Sequence, residues 1–289
     1  MMNREEHYHR VNGITLHTIE TGDRGGIHII FLHGFPEFWY GWKNQIPFFA
    51  EKGYRVIIPD QRGYNLSSKP SGIKSYCLHN LCSDIVALIH KLTDKKVVIV
   101  GHDWGGAVAW QLALHHPQLI HHLVIVNMPH PEVFNRTLKT NPIQMLRSSY
   151  AGFFQLPYLP ELVTRAFGFA LLQRSLLKTS NTGTFLKEDI AVYKKAWQQP
   201  YALTAMINWY RAYKYNTLPT TGPVQLPVLL IWGRKDQFLL SEMAAQSINK
   251  CINGHLEIVE AATHWVHHEY PHLVNGLIND FITKQDVKH

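Results

Sequence analysis

No uninterrupted apolar segment of this sequence reaches the roughly 18–20 residues a helix needs to cross a bilayer, so no membrane span is expected. Runs of Lys or Arg are absent too, and no nucleic-acid-binding module is recognisable. A formal net charge of +7 over 289 residues therefore reads as a basic but unspecialised surface, with no nucleic-acid partner. Cysteine is scarce. Cys77, Cys82 and Cys251 lack zinc-ligand spacing and read as reduced thiols, which points to a cytoplasmic protein with no metal site. The opening Met1-Met2-Asn3-Arg4-Glu5-Glu6-His7 lacks an apolar h-region, so secretion is not indicated. Nor does any serine stand in a G-x-S-x-G setting. What remains is an ordinary globular composition, 46% hydrophobic and 17% charged, long enough for one elaborated domain or two.

The most informative stretch is Val97-Val98-Ile99-Val100-Gly101-His102-Asp103-Trp104-Gly105-Gly106-Ala107-Val108. Four β-branched residues predict a strand buried on both faces. A glycine-flanked turn, G-x-D-x-G, follows, and then an Ala-rich helix stopped by Pro117. Strand, tight turn and helix form the context of a nucleophile elbow, whose usual tip is serine. Here the tip is Asp103. A carboxylate is already ionised near neutral pH and attacks alkyl carbon to give an ester that water must open. Taken alone, the motif also fits a glycine-rich turn in which Asp103 caps the helix.

Around this centre the chain alternates. Strands are expected near His7–Val11, over Ile14–Thr21 beyond an Asn12-Gly13 hairpin signal, and over Ile27–Leu32, Arg55–Pro59 and His122–Asn127. Helices are expected over Trp42–Phe49 and Leu78–Leu92. The alternation predicts an α/β fold with a mostly parallel sheet and helices on both faces. From 129 to 222 the pattern turns helical and aromatic, cut by Pro142, Pro157, Pro160, Pro200 and Pro219. That stretch reads as a cap inserted into a core made of 1–128 and 223–289. Strands resume over Leu226–Gly233 and Leu256–Val259, and Pro271 opens a last helix.

A carboxylate nucleophile needs a base for the water of its second step, and the base needs an acid to orient it. Asp236 follows one late strand and His264 follows the last, giving the chain order nucleophile, acid, histidine. His267 and His268 are rival bases, placed where the final helix approaches. The loop His33-Gly34-Phe35-Pro36-Glu37 follows a strand, as an oxyanion loop does, and would aim the N–H groups of Phe35 and Trp104 at the Asp103 carboxyl.

Together, Gly101-His102-Asp103-Trp104-Gly105-Gly106, the His33 loop, the Asp236 and His264 contexts and the inserted cap resemble the α/β-hydrolase-fold epoxide hydrolases, over roughly residues 8–285. The segment Arg147 to Pro157 resembles the family's first cap tyrosine segment and Asn208-Trp209-Tyr210-Arg211 the second. The resemblance implies that Tyr150 and Tyr210 hold and protonate the epoxide oxygen, with no cofactor. A phenol with a pKa around 10 is protonated at neutral pH and able to do so. The expected substrate is a small hydrophobic epoxide, contacted by His33, Pro36, Phe153, Phe154 and Trp209. Asn65, where the family more often has Gly, is expected to keep a left-handed turn. A haloalkane or haloacetate dehalogenase shares the Asp elbow, but Phe35 offers no side-chain donor to a halide, which leaves Trp104, Trp197 or Trp209 to supply one. A non-catalytic binder on a hydrolase shell is the third reading.

Overall fold

Asn12 and Gly13 both take positive φ, 45° and 75°, as a two-residue hairpin turn requires, and join β1 (Glu5–Val11) to β2 (Ile14–Gly22). The other strands are β3 (His28–Leu32), β4 (Arg55–Pro59), β5 (Val97–His102), β6 (Ile120–Val126), β7 (Val228–Gly233) and β8 (Gly254–Val259). This computed structural model describes residues 4–216 and 222–286, so the expected break at Pro219 lies outside the described residues. All eight strands share one sheet, ordered β1-β2-β4-β3-β5-β6-β7-β8. The six from β4 to β8 in that order run parallel, and β2 is antiparallel to both of its neighbours. This is the α/β-hydrolase topology.

Helices cover both faces of the sheet. They are α1 (Gln45–Glu51), α2 (Leu78–Leu92), α3 (Trp104–His115) and, after the insertion, α11 (Glu242–Ile248), α12 (Val266–Glu269) and α13 (Pro271–Asp286). Residues of the central strands divide between two cores. Ile30, Ile99 and Leu123 face one side with α2 and α3, and Ile29, Val98 and Val124 face the other with α1 and α13. Both faces of β5 are buried, which is why its β-branched run is continuous.

The expected helix over Trp42–Phe49 is two pieces, a short 3₁₀ turn at Trp39–Trp42 and α1 from Gln45. Pro47 explains the break. Its ring would clash with the residue 43 carbonyl in a continuous helix, whereas in the first turn of α1 its missing N–H costs nothing.

Between β6 and β7 the described residues form helices and no further strand of the sheet: α4 (Pro131–Thr140), α5 (Pro142–Arg147), α6 (Ser149–Phe154), α7 (Leu159–Ala166), α8 (Ala170–Thr179), α9 (Lys187–Trp197) and α10 (Ala202–Ala212). Pro142 opens α5, Pro160 sits in the first turn of α7, and Pro157 and Pro200 fall between helices. The cap is anchored to the core by polar contacts. Trp197 Nε1 donates to the Pro36 carbonyl, Trp209 Nε1 to that of Arg62, and Lys43 pairs with Asp189. Among the described residues no helix is long and apolar enough to cross a membrane.

Candidate active site

The elbow between β5 and α3 places Asp103 at φ 49°, ψ −123°, a conformation costly for any side-chain-bearing residue. The chain tolerates it because the neighbours are glycines. A Cβ on Gly105 would stand 2.2 Å from the Leu32 carbonyl oxygen, and one on Gly34 would stand 2.4 Å from the Asp103 Cβ. The strand and the His33 loop thus close on the turn and leave its side chain one direction. There the Phe35 N–H donates to Asp103 Oδ1 at 2.8 Å, while Trp104 begins α3 immediately beyond.

Asp236 and His264 arrive from the ends of β7 and β8. His264 Nδ1 lies 2.7 Å from Asp236 Oδ2, and its Nε2 lies 3.7 Å from Asp103 Oδ2. Asp236 is buried, and its oxygens accept from the Phe238 and Leu239 amides and from Asn127 Nδ2 at 2.7 Å. Sequence reasoning missed Asn127. Its Oδ1 also accepts from the Gly233 amide, so it fastens β6 to the Asp236 turn. A lone Asn at a strand end carries no signal for that.

The charges in this cluster oppose burial. Burial favours the neutral form of Asp103, but the hydrogen bond and charge of His264, the nearby His102 and the Phe35 amide together hold its pKa below the usual carboxylate value. Burial likewise disfavours charged His264. The Asp236 and Asp103 carboxylates outweigh it and push the imidazole up to about 10. The pair Asp103–Asp236 thus shares one imidazolium at neutral pH.

Tyr150 from α6 and Tyr210 from α10 meet over this cluster with ring centroids 5.8 Å apart, edge to face. Tyr210 also packs edge-on against Phe35 and Trp104. Burial and the Asp103 charge raise both phenols above their ordinary pKa, with each other's proximity adding to Tyr210, so both remain protonated donors. Two cavities open here, of about 600 and 470 Å³, and Asp103, Tyr150, Tyr210 and Phe238 line both. Phe153, Phe154 and His264 line the smaller, Trp104 the larger.

His33, Pro36 and Trp209, expected as substrate contacts, line neither cavity. His33 is buried and its Nε2 accepts from the Gln61 amide, Pro36 accepts from Trp197, and Trp209 is sealed behind Trp104 and Tyr64. They shape the site from behind. His267 and His268 are turned away from Asp103 and surround Glu37 instead. His268 Nε2 lies 2.7 Å from Glu37 Oε1, and Tyr193 donates to the same oxygen at 2.5 Å. Glu37, His267 and His268 hold their donor atoms within 4.8 Å of one another, a spacing a metal could use. Those of Glu37 and His268 are already joined by a hydrogen bond. Asn65 has φ 38°, so the left-handed turn is kept, and its amide donates to Asp60 Oδ2.

An eight-stranded α/β sheet with a carboxylate at the elbow, an Asp–His pair behind it and two cap phenols in front defines a hydrolase that works through an alkyl-enzyme ester. Comparison with known proteins agrees and is narrower. A family model described as the α/β hydrolase fold matches residues 27–271. The AB hydrolase superfamily protein YfhM of Bacillus subtilis is 47% identical over 275 residues, spanning 95% of this chain and 96% of that protein. Mouse epoxide hydrolase 4 is 38% identical over 282 residues, spanning 95% of this chain and 78% of its own length. The crystal structure of Bacillus megaterium epoxide hydrolase with an inhibitor superposes with a TM-score of 0.88 at 32% identity, covering 96% of this chain and all of that one. This chain belongs to the α/β-hydrolase-fold epoxide hydrolases.

Proposed function

We propose that the protein is an epoxide hydrolase that opens a hydrophobic epoxide to a vicinal diol through an ester on Asp103. The observation that carries this reading is a single cavity floor, the Asp103 carboxylate, facing two protonated phenols, Tyr150 and Tyr210. Asp103 attacks an epoxide carbon, the C–O bond breaks on the far side, and a phenol proton goes to the leaving oxygen. Ester formation removes the Asp103 charge, which lowers the pKa of His264. The proton His264 then releases restores the phenol and leaves a neutral imidazole.

His264, oriented by Asp236, next takes a proton from water as that water attacks the Asp103 ester carbon. Negative charge gathers on the Asp103 oxygen that the Phe35 amide already reaches at 2.8 Å, with the Trp104 amide as second donor. Collapse expels the diol oxygen, which takes the proton from His264. The core comprises 1–128 and 223–289 and the cap 129–222. Supporting that division, β6 ends at Val126, α4 starts at Pro131 and β7 starts at Val228. Phe153 and Phe154 bound the substrate, and His33, Pro36 and Trp209 buttress its walls. The three thiols, none in a disulfide, support a cytoplasmic setting.

A dehalogenase would need side-chain N–H donors for halide. The indoles of Trp197 and Trp209 are spent on the Pro36 and Arg62 carbonyls, Phe35 has no side-chain donor, and Trp104, left as the one indole on the cavity wall, hydrogen-bonds the Tyr210 phenol. The test is diol formation from styrene oxide set against chloride or bromide release from haloalkanes. Diol without halide is expected. Halide without diol refutes the reading, and turnover of neither returns it to a binding protein.

A further inference from the structure

Among the described residues, most of the large apolar side chains left in water belong to the cap, and their densest run surrounds α7. This helix turns Pro160, Glu161 and Thr164 inward, while Leu159, Leu162 and Ala166, which share its other side, stay exposed. Tyr158 just before it is 85% exposed, Phe167 just after it 69% and Leu162 66%. Leu156 and, on the adjoining α8, Leu171 extend the run. Exposed apolar residues scattered singly need no explanation, but a contiguous set does. The exposed residues from 156 to 171 carry only two polar side chains, the Tyr158 phenol and the Arg165 guanidinium.

The charge around this run has one sign. From 155 to 186 the sequence holds three bases, Arg165, Arg174 and Lys178, and a single acid, Glu161. The three bases are exposed. Glu161 is buried, its carboxylate held by Arg211 Nη1 at 2.6 Å and Nη2 at 3.0 Å, so the segment presents only positive charge to solvent. On α8, Leu171, Arg174 and Lys178 follow one side of the helix.

We infer that α7 and α8 form a surface by which the cap lies on an anionic lipid bilayer. Tyr158, Leu162 and Phe167 enter the boundary between headgroups and acyl chains, and Arg165, Arg174 and Lys178 reach the lipid phosphates. A protein partner would need directional hydrogen bonds, about one per 100–200 Å² of interface, and this face offers few groups to make them. A bilayer needs only apolar area and cations on stems long enough to snorkel. Leu171 is exposed and also lines the smaller cavity, so docking sets a wall of that cavity against the lipid.

Flotation of the intact chain with vesicles tests this, using phosphatidylcholine alone and an equal mixture of phosphatidylcholine and phosphatidylglycerol. At low salt the native chain is expected to bind the anionic vesicles at least about fivefold more tightly than the neutral ones. Release is expected in about 1 M salt, where the Debye length shrinks to about 3 Å. Replacing Leu162→Ser and Phe167→Ser together is expected to weaken binding to anionic vesicles at least about tenfold. Replacing Arg165→Glu and Arg174→Glu together is expected to abolish the preference for anionic lipid. All four positions are exposed and line neither cavity, so the melting temperature and turnover of styrene oxide in vesicle-free buffer are expected to stay unchanged in both double variants. No flotation of the native chain, or flotation that the serine variant leaves intact, overturns the assignment. Equal binding to both vesicle types overturns the anionic part. A dimer in sedimentation velocity that the serine variant dissociates, without flotation, gives the face to a second copy of the chain and refutes the bilayer.

Discussion

His264 Nε2 stands 3.7 Å from Asp103 Oδ2 while its Nδ1 is held at 2.7 Å by Asp236, so the ring is fixed between the two carboxylates. Its reach to the nucleophile leaves water, not substrate, as the group it serves. Removing the imidazole therefore separates the two half-reactions. His264→Gln is expected to form the ester and to hydrolyse it at least about 10³-fold more slowly. Intact mass after incubation with styrene oxide reads the adduct, and peptide mapping places it on Asp103. An adduct on another residue, or none, contradicts the assignment.

The pKa of His264, about 10, is sustained by negative charge on both sides. Asp103→Asn mimics the ester by removing one of those charges at nearly constant shape. The imidazole pKa is expected to fall by more than one unit, read by NMR titration of its ring resonances. The same group couples to stability. A folded pKa raised above the ordinary 6.5 contributes stability present below about 6.5 and lost as pH rises through about 10. That loss is expected to shrink in Asp103→Asn. An unchanged pKa would show that Asp236 alone charges the ring.

Two phenols share one leaving oxygen. Tyr150→Phe or Tyr210→Phe should each lower the rate of ring opening by about 10²-fold, and the double variant by far more than either. Single-turnover rates of ester formation check this. Ester hydrolysis, in which neither phenol takes part, should move little. Equal loss in both half-reactions would recast the tyrosines as packing residues.

Much of this was legible in the sequence because its signals are local. The β-branched run of β5, the glycines pressed against the elbow and the chain order Asp103, Asp236, His264 need no knowledge of the cap. Arg55–Pro59 and Leu78–Leu92 are the bounds observed. What was not legible arises where distant segments meet. Trp209 reads as a substrate wall from its place beside Tyr210, yet on α10 adjacent side chains point about 100° apart, and its ring turns into the core. His33 likewise faces Gln61 rather than the cavity. Glu37, quoted only as the end of a loop motif, proves to be the centre of a cluster drawn from four segments.

That cluster supplies the last prediction. Glu37 is buried with His102 Nδ1 and His267 Nε2 each 3.4 Å from Oε2, and with His268 and Tyr193 on Oε1. His102 in turn reaches the His264 carbonyl through Nε2 at 3.0 Å, which connects the cluster to the catalytic turn. Burial favours a neutral Glu37. The charge of His268, its hydrogen bond to Oε1 and the close approach of His102 and His267 reverse this and hold its pKa well below the ordinary 4.5. Its stabilisation is therefore present above about 4.5 and lost as pH falls through the lowered folded value. Glu37→Ala removes the acceptor and leaves three imidazoles and a phenol facing a void, at a cost of about 3–5 kcal/mol. Glu37→Gln keeps an acceptor for Tyr193 and His268 and is expected to cost less than half as much. Urea unfolding at pH 7 measures both, and a loss under about 1 kcal/mol for Glu37→Ala would show that the cap and the catalytic turn are held together by packing alone.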